Sequence, residues 1–566
     1  MMARLLAFLL RHCRVPEADA GKVAQNRLWF ATASAVAVLL TLSVQVGSLA
    51  MVAPTTPDRV APKENQSLRG RILDSNGRVL ATSFPAWELY ADPQQVMNPV
   101  AAAQALDPLL PDLNEAEILA RLNRKSRYVE LNWKISSATY ARVLEAGIVG
   151  VYARPRPIRS YPFINEASHL LGGVNKDGKG IAGVEAGFNA QLERGEDVQL
   201  SIDIAVQSIL REEIQHQIDI FEAVGGAGVV LDIDTGEIVA MVSLPDYDAN
   251  HLGTATEDAR FNRATKGVYE LGSIFKIFNT AMAVDSGKFK TTDMIDVVSP
   301  LVVGRFPISD YHPEKRPLNV AEVMVVSSNK GSGRIADSIG AATQRHYLDA
   351  LGMLEKIDIG LPETARPLVP TRWKRAETIT ISYGYGLSVT PLHLVSAMAT
   401  TVGTGRRVTP SLIKGGDQDM LEVEVFDGST ARMIRPIMRN VVTHRRGTGK
   451  KANAFGYAVG GKTGTSEKNK VGGYDRKVNI TSFAGIFPAH DPRYAVMVMV
   501  DAPKPQKFNF GYTTGGWVAA PVMGRFVSRA APLLGVHPVD EKLPEIRQIL
   551  ELKLPHLDED IKNASH

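Results

Sequence analysis

"GYAVGGKTGTSEK" occupies residues 456–468 and admits two incompatible readings. From Gly456 to Thr463 it fits the phosphate-loop pattern G-x-x-x-x-G-K-[ST] without a mismatch. From Lys462 onward it is instead a cation, a hydroxyl and a glycine on an extended segment. There Lys462 would meet a carboxylate, Thr463 would sit beside it, and Gly464 would let a substrate backbone come close. The first reading implies a nucleotide, the second a peptide.

A phosphate loop works because backbone N–H groups at a helix N-terminus point at the anion, so a helix must begin at the Gly-Lys-Thr. The chain after Thr463 reads "GTSEKNKVGGYDRK", with three glycines and almost no apolar residue. Such a segment cannot present the apolar face a helix needs for packing. "AVMVMVD", ending at Asp501, resembles a magnesium-holding strand plus aspartate, but any buried strand with a loop aspartate after it does so. The sequence therefore predicts no nucleotide partner.

Bulk properties agree. A chain of 566 residues exceeds one ordinary hydrophobic core and implies two or more domains. A net charge of +4 over that length gives no reason to expect nucleic acid. A single cysteine, Cys13, excludes an internal disulfide and disfavours thiolate metal clusters, and no metal or cofactor is expected.

The stretch 28–53, "LWFATASAVAVLLTLSVQVGSLAMVA", carries no charge and exceeds the roughly 20 residues that cross a bilayer core. Arg4, Arg11, Arg14, Lys22 and Arg27 precede it, against Arg59 and Lys63 just after. The positive-inside rule places residues 1–27 in the cytoplasm and everything beyond the span outside, where nucleotides are not normally available. A cleavable signal peptide is the alternative, but its apolar region is normally shorter.

After the span, "PTTPDRVAPKENQS" reads as a linker. "RGRILDSNGRVLATS" predicts a hairpin about Ser75-Asn76-Gly77, and "NPVAAAQALDPLL" and "NEAEILARLNRK" predict helices. A second unit opens with a strand and an amphipathic helix in "VQLSIDIAVQSILREEIQHQI". "GAGVVLDIDTGEIVAMVS" predicts a hairpin at Asp234-Thr235-Gly236. Helical patterns then dominate 274–398, and strands return at "YAVGGKTGTSE", "NITSFAGIFP" and "RYAVMVMVDAP". The expectation is an α+β domain whose antiparallel sheet joins strands far apart in sequence. The tail from about Asp540 is charged and is expected to be peripheral.

The peptide reading needs further parts, and they occur in order. In "VYELGSIFKIFNTAMAV", Ser273 and Lys276 form Ser-x-x-Lys at a predicted helix start, sharing one face. An amine of lowered pKa there can take the serine proton and make it a nucleophile. Ser327-x-x-Lys330 and Ser411-x-x-Lys414 match the same pattern, so position must discriminate. "VVSSNKG" then gives Ser327-Ser328-Asn329, a hydroxyl able to relay a proton and an amide able to orient a lysine. Lys462-Thr463-Gly464 closes the set.

With these residues, the chain resembles the class B penicillin-binding proteins, monofunctional peptidoglycan D,D-transpeptidases, from the span to about residue 535. "RGRILDSNGRVLA", "RSYPFINEASHLLGGV" and "GIAGVEAGFNAQLERG" look like pedestal motifs, with Arg159, Tyr161 and Glu185 in place. "NRATKGVYELGSIFK" leads to the nucleophile as in the family, except that Leu271 stands where proline is usual. "YGYGLSVTPLHL" is similar to a further transpeptidase segment, and Asn329 favours the septal, cell-division type over the elongation type, which usually has aspartate there.

The resemblance implies a membrane-anchored α+β protein: cytoplasmic tail 1–27, transmembrane helix 28–53, mixed α/β pedestal (dimerisation) domain 54–200, transpeptidase domain 201–535 of serine β-lactamase-like fold, and charged tail 536–566. It also implies a two-step acyl transfer on stem peptides. Lys276 is the base and Ser273 attacks the penultimate D-Ala carbonyl. D-Ala leaves with a proton routed through Ser327 and Lys462, and an acceptor amine then resolves the acyl-enzyme. Asn329 completes the catalytic set, and Thr463, Gly464 and Thr465 bind substrate, with the N–H groups of Ser273 and Thr465 as oxyanion hole. β-Lactams would acylate Ser273, and a lipid-linked precursor, a multi-span glycan polymerase and other division proteins are the implied partners. A β-lactam sensor or serine β-lactamase would share the motifs but not the long pedestal.

Overall fold

The computed structural model describes residues 29, 31–41, 43, 68–416, 423–470 and 473–564. Residues 31–41 form a helix. Among the described residues no helix is long and apolar enough to cross a membrane. The remainder of the stretch 28–53, with the linker after it, lies outside the described residues.

The hairpin predicted at Ser75-Asn76-Gly77 forms between Ile72–Leu73 and Val79–Phe84. Asp74 Oδ1 accepts the N–H groups of Asn76 (2.9 Å) and Arg78 (2.7 Å), and Gly77 takes φ +81°, a left-handed position that glycine fills without strain. Val198–Gln199 pairs parallel to Ile72–Leu73, so the chain leaves this region beside the strand on which it entered. The two predicted helices are Pro99–Leu106 and Glu115–Leu122, capped by Asn98 and Asn114. They bury Leu106, Ile118 and Leu122, with Leu110 of the connection between them, over a three-stranded sheet. Glu185, fully buried, takes the Nε groups of Arg69 and Arg159 at 2.6 Å each and the Tyr161 hydroxyl at 3.3 Å. The residues singled out at 159, 161 and 185 are thus one charge-compensated cluster, which is what lets a carboxylate lie so deep.

The region from Ile204 onward includes, among its helices and in chain order, α1 (Ile204–Phe221), α2 (Lys276–Asp285), α3 (Val320–Val326), α4 (Asn329–Ile339), α5 (Pro391–Val402), α6 (Gly428–Thr443) and α7 (Ala519–Ala530). Its sheet consists of β1 (Gly225–Asp232), β2 (Ile238–Leu244), β3 (Gly460–Lys470), β4 (Gly473–Phe487) and β5 (Tyr494–Asp501), ordered β2-β1-β5-β4-β3. All pairs are antiparallel, and β1 lies against β5 with Gly225 opposite Asp501, as expected of strands distant in sequence.

Both faces of this sheet are covered. Val230, Val496 and Val498 point into a core shared with α1 and α7, whereas Val229, Met497 and Met499 point into a core shared with α2 and α5. Alternate residues of one strand therefore both need apolar side chains, which is why "AVMVMV" reads as an unbroken run. β3 is the exception in composition and position: an edge strand, polar along much of its length, and the one that carries Lys462.

The C-terminal tail is not peripheral. Pro544–Leu550 is a helix, and Leu554 and Leu557 are 1% and 0% exposed within the main core. Glu541 pairs with Arg439 at 2.5 Å, and the buried Glu322 of α3 accepts the backbone N–H groups of His556 (2.9 Å) and Leu557 (3.3 Å). High charge misled the expectation because four apolar residues, Ile546, Leu550, Leu554 and Leu557, suffice to seat the segment.

Candidate active site

Ser273 lies in a 3-10 turn, Gly272–Phe275, that runs directly into α2. Gly272 takes φ +60°, and a Cβ there would fall 2.5 Å from Thr465 O on β3. Glycine is needed twice over, for the turn and for the close approach of the Ser273 segment to the strand. Leu271, fully buried, adopts φ −101°, well away from the value of about −65° that proline would impose. The departure from the usual residue is accommodated because the turn is tied elsewhere: Gly272 N–H donates to Gly384 O (3.3 Å) and Ser466 Oγ to Glu270 O (2.5 Å).

One helical turn on, the Lys276 amine is buried to 1% exposure and faces four oxygens. Its Nζ is 2.7 Å from Ser327 O, 2.7 Å from Asn329 Oδ1, 3.0 Å from Ser273 Oγ and 3.1 Å from Ser327 Oγ. The two shortest contacts are to carbonyl oxygens, which can only accept. A neutral amine gives them its two protons and keeps its lone pair for a hydroxyl. Burial, with the cation of Lys462 adding to it and Asp310 opposing, pushes Lys276 well below its ordinary value, favouring that neutral form.

Ser327 stands between the two lysines. Its Oγ is also 2.9 Å from Lys462 Nζ, and Lys462, with no exposed surface, is pushed by burial down to about 7. The Lys462 amine thus faces Ser327 and Thr463 inside the site rather than standing open on the strand.

The Ser-Ser-Asn geometry is built by a helix break. Ser327 ends α3 in a left-handed conformation (φ 68°, ψ 42°), uncommon for a residue with a side chain. Ser328 then caps α4 through Gly331 N–H (3.0 Å). Asp310 secures the junction: Oδ2 accepts Ser328 Oγ at 2.7 Å, and Oδ1 accepts the N–H groups of Lys330 (3.0 Å) and Asn329. Sequence reasoning missed Asp310, which lies after a three-residue strand, Phe306–Ile308, in a stretch without periodicity. It also missed Thr448, whose hydroxyl is 2.7 Å from that of Thr463. No signal in the sequence pairs a residue before β3 with one on it.

On β3 the predicted residues fall in register. Lys462 is opposite Ala484 and Gly464 opposite Ser482. A Cβ on Gly464 would lie 2.4 Å from Leu271 O and 2.3 Å from Ser482 Oγ, so the glycine keeps the strand and the turn that bears Ser273 in contact. Thr465 accepts Gly515 N–H (2.9 Å) through its hydroxyl. As an edge strand, β3 leaves backbone groups free on one side, where an extended peptide can add. Strand geometry continues through Thr463, and this decides against a phosphate loop, which needs a helix start there. The other two Ser-x-x-Lys matches form no such pair: Lys330 Nζ bonds Val298 O, and Ser411 Oγ bonds Ile413 O.

Comparisons with known proteins agree with this geometry. The family model "Penicillin binding protein transpeptidase domain" matches residues 226–528, and "Penicillin-binding Protein dimerisation domain" matches residues 64–207. The chain is 36% identical over 484 residues to the "Probable peptidoglycan D,D-transpeptidase FtsI" of Caulobacter vibrioides, covering 83% of this chain and 82% of the relative. It is 29% identical to the "Peptidoglycan D,D-transpeptidase FtsI" of Escherichia coli K12, covering 88% and 91%. A solved structure of penicillin binding protein 3 from Mycobacterium tuberculosis, complexed with aztreonam, shares the fold at TM-score 0.66 and 23% identity, covering 84% of this chain and 98% of that one. Taken with the Ser273, Lys276, Ser327 and Lys462 cluster on a sheet edge, these matches establish that the chain belongs to the class B penicillin-binding proteins, the peptidoglycan D,D-transpeptidases of the cell-division type.

Proposed function

We propose that Ser273 is the acyl-accepting nucleophile of this D,D-transpeptidase and that Lys276, Ser327, Asn329 and Lys462 move its protons. The observation that carries this reading is the arrangement of Lys276. With Ser327 O and Asn329 Oδ1 taking its two N–H bonds, the lone pair is left for the Ser273 hydroxyl at 3.0 Å. Lys276 accepts that proton as Ser273 attacks the penultimate D-Ala carbonyl of a stem peptide laid along β3. The N–H groups of Ser273 and Thr465 stabilise the developing oxyanion, while Thr463, with Thr448 behind it, and Thr465 hold the terminal carboxylate. Ser327, touching both amines, passes a proton to the departing D-Ala amine, and Lys462 restores it. An amine of a second stem peptide then attacks the ester and completes the cross-link, with the same groups run in reverse.

β-Lactams acylate the same serine in this reading. Among the described residues no carboxylate hydrogen-bonds to Ser273 or Lys276. No deacylating base is therefore at hand, and the adduct persists, as befits a transpeptidase rather than a β-lactamase. The test is a labelled penicillin. Wild type should be labelled on the peptide containing Ser273 and Ser273→Ala should not, whereas undiminished labelling of that variant would remove Ser273 from the role.

The uncharged stretch 28–53 and its basic flank support a single-pass anchor in the bacterial cytoplasmic membrane, with the catalytic domain in the periplasm. The boundaries 54–200, 201–535 and 536–566 remain our division of the extracytoplasmic part. Use of the lipid-linked precursor, pairing with a multi-span glycan polymerase and work at the septum with other division proteins complete the proposal. Protease accessibility of the two termini in spheroplasts checks the topology. A catalytic domain cleaved only after the cytoplasmic membrane is disrupted would overturn it.

A further inference from the structure

Asn279 lies one turn beyond Lys276 on α2, and Ser332 one turn beyond Asn329 on α4. The two residues meet inside the protein, 3% and 1% exposed. Asn279 Nδ2 donates to Ser332 Oγ at 3.0 Å and to Ser332 O at 3.1 Å. Residues three apart on a helix share a face, so this contact repeats, one turn along on both helices, the bond from Lys276 Nζ to Asn329 Oδ1 at 2.7 Å. The same two helices thus meet twice, once at the reacting groups and once in the interior.

The link continues back to the turn that bears Ser273. Ser332 Oγ donates to Ser382 O at 3.0 Å, and two residues later Gly384 O accepts Gly272 N–H at 3.3 Å. The approach at Gly384 is close: it takes φ +88°, and a Cβ there would fall 2.0 Å from Gly272 O. Hydrogen bonds therefore run in a closed ring, from α2 through Asn279 and Ser332 to the segment 382–384 and back to the residue before Ser273. An apolar pair of the same shape would hold the core about as firmly, whereas a satisfied polar network also fixes one arrangement.

We propose that Asn279 and Ser332 are positioning residues of the acyl transfer: they set the spacing of α2 and α4, and with it the contact of Lys276 with Asn329 that leaves the amine's lone pair to Ser273. The inference rests on the reading of Lys276 as the base. Both residues are too deep to touch substrate and act through the helices that carry them. The charged groups acting on Lys276, Lys462 on β3 and Asp310 ahead of α3, stay in place when either is changed.

The test is the rate of acylation by a labelled penicillin, followed across pH, in Ser332→Ala and Asn279→Ala of the full chain beside Val498→Ala. That last substitution empties part of the core shared with α1 and α7, away from α2 and α4, and supplies a control of lowered melting point. Where all three remain folded, the two positioning variants should acylate about tenfold or more slowly than Val498→Ala, within the scale of misplaced reacting groups. The acid limb of their pH profile should move up by about half a unit or more, because a loosened contact admits water to Lys276 and relieves the burial that favours its neutral form. The double variant should lose no more than the worse single one, as one link requires. Losses no larger than that of Val498→Ala, an acid limb that stays at its wild-type pH, or single losses that multiply in the double variant would each overturn the proposal. Should Asn279→Ala not fold, Ser332→Ala read against Val498→Ala decides alone. A wild type with no acid limb would remove the reading of Lys276 as the base, and the proposal with it, whereas the three outcomes above leave that reading standing.

Discussion

The Ser327 hydroxyl is shared by two buried amines, 3.1 Å from Lys276 Nζ and 2.9 Å from Lys462 Nζ. A hydroxyl so placed can hand a proton in either direction without moving its oxygen. Ser327→Ala should therefore fold normally yet slow acylation by penicillin and turnover of stem peptide by about 10²-fold or more, the usual scale of a lost proton-transfer group. Rapid-mixing acylation kinetics check this. A variant acylating at the wild-type rate would leave Ser327 a merely structural helix end.

Lys276→Arg separates charge from basicity. The guanidinium keeps a cation beside Ser273 but cannot give up its proton at working pH. Acylation should be lost as fully as in Lys276→Ala, whereas an electrostatic role alone would leave Lys276→Arg substantially active. In the wild type, acylation should fall as the pH is lowered and Lys276 becomes protonated, and the fall should set in at a lower pH than for an ordinary lysine, since burial favours the neutral amine.

Lys462 makes a prediction about stability with a definite sign. Burial lowers its folded value to about 7 from an ordinary 10.5. Between those values the unfolded chain binds more protons than the folded one, so this residue makes stability rise with pH in that window and adds no pH dependence below it. Lys462→Met should melt at or above wild type at pH 7, with the gap narrowing toward pH 10, while acylation is lost. A melting temperature well below wild type at neutral pH would show that the lysine holds the site together rather than burdening it.

Gly464→Ala tests the contact between β3 and the turn that bears Ser273. The added Cβ meets a backbone oxygen, Leu271 O, at 2.4 Å, and a backbone atom cannot rotate away as a side-chain end can. We expect acylation to drop by about tenfold or more, with the far-ultraviolet dichroism of the wild type retained. The cause is a displacement of β3 from Ser273 on the scale of an ångström, and misplacements of that size cost up to about 10²-fold. Wild-type kinetics would mean that β3 has room to shift.

Most of this site was legible in sequence because its chemistry sits in short local patterns. Ser273 and Lys276 are three apart on one helix, Ser327 and Asn329 flank one helix break, and Lys462 to Thr465 share one strand. Asp310 and Thr448 were not legible. Each acts through contacts that only the folded chain brings about, with Ser328 and with Thr463, and neither lies in a periodic segment. The sheet was legible because β1 and β5 are covered on both faces and so carry continuous apolar runs. The position of the tail was not, since four apolar residues among many charges give no face to recognise until Glu322 and the core beneath are known.

The tail is seated against the helix that ends at Ser327. Glu322 stands at the first turn of α3: one oxygen accepts Asn319 N–H, closing the helix cap, and the other accepts the N–H groups of His556 and Leu557. Leu557, fully buried, fixes those two groups in place. Leu557→Ala should cost about 2–5 kcal/mol of stability, the range for emptying a well-packed leucine site, where a peripheral tail would cost almost nothing. Denaturant unfolding of the full chain reads this value. If α3 depends on the tail for more than bulk stability, Glu322→Gln, which retains one acceptor and loses the charge, should lower acylation at temperatures where the protein is still folded. Equal acylation with a lowered melting point would confine the tail to holding the core shut.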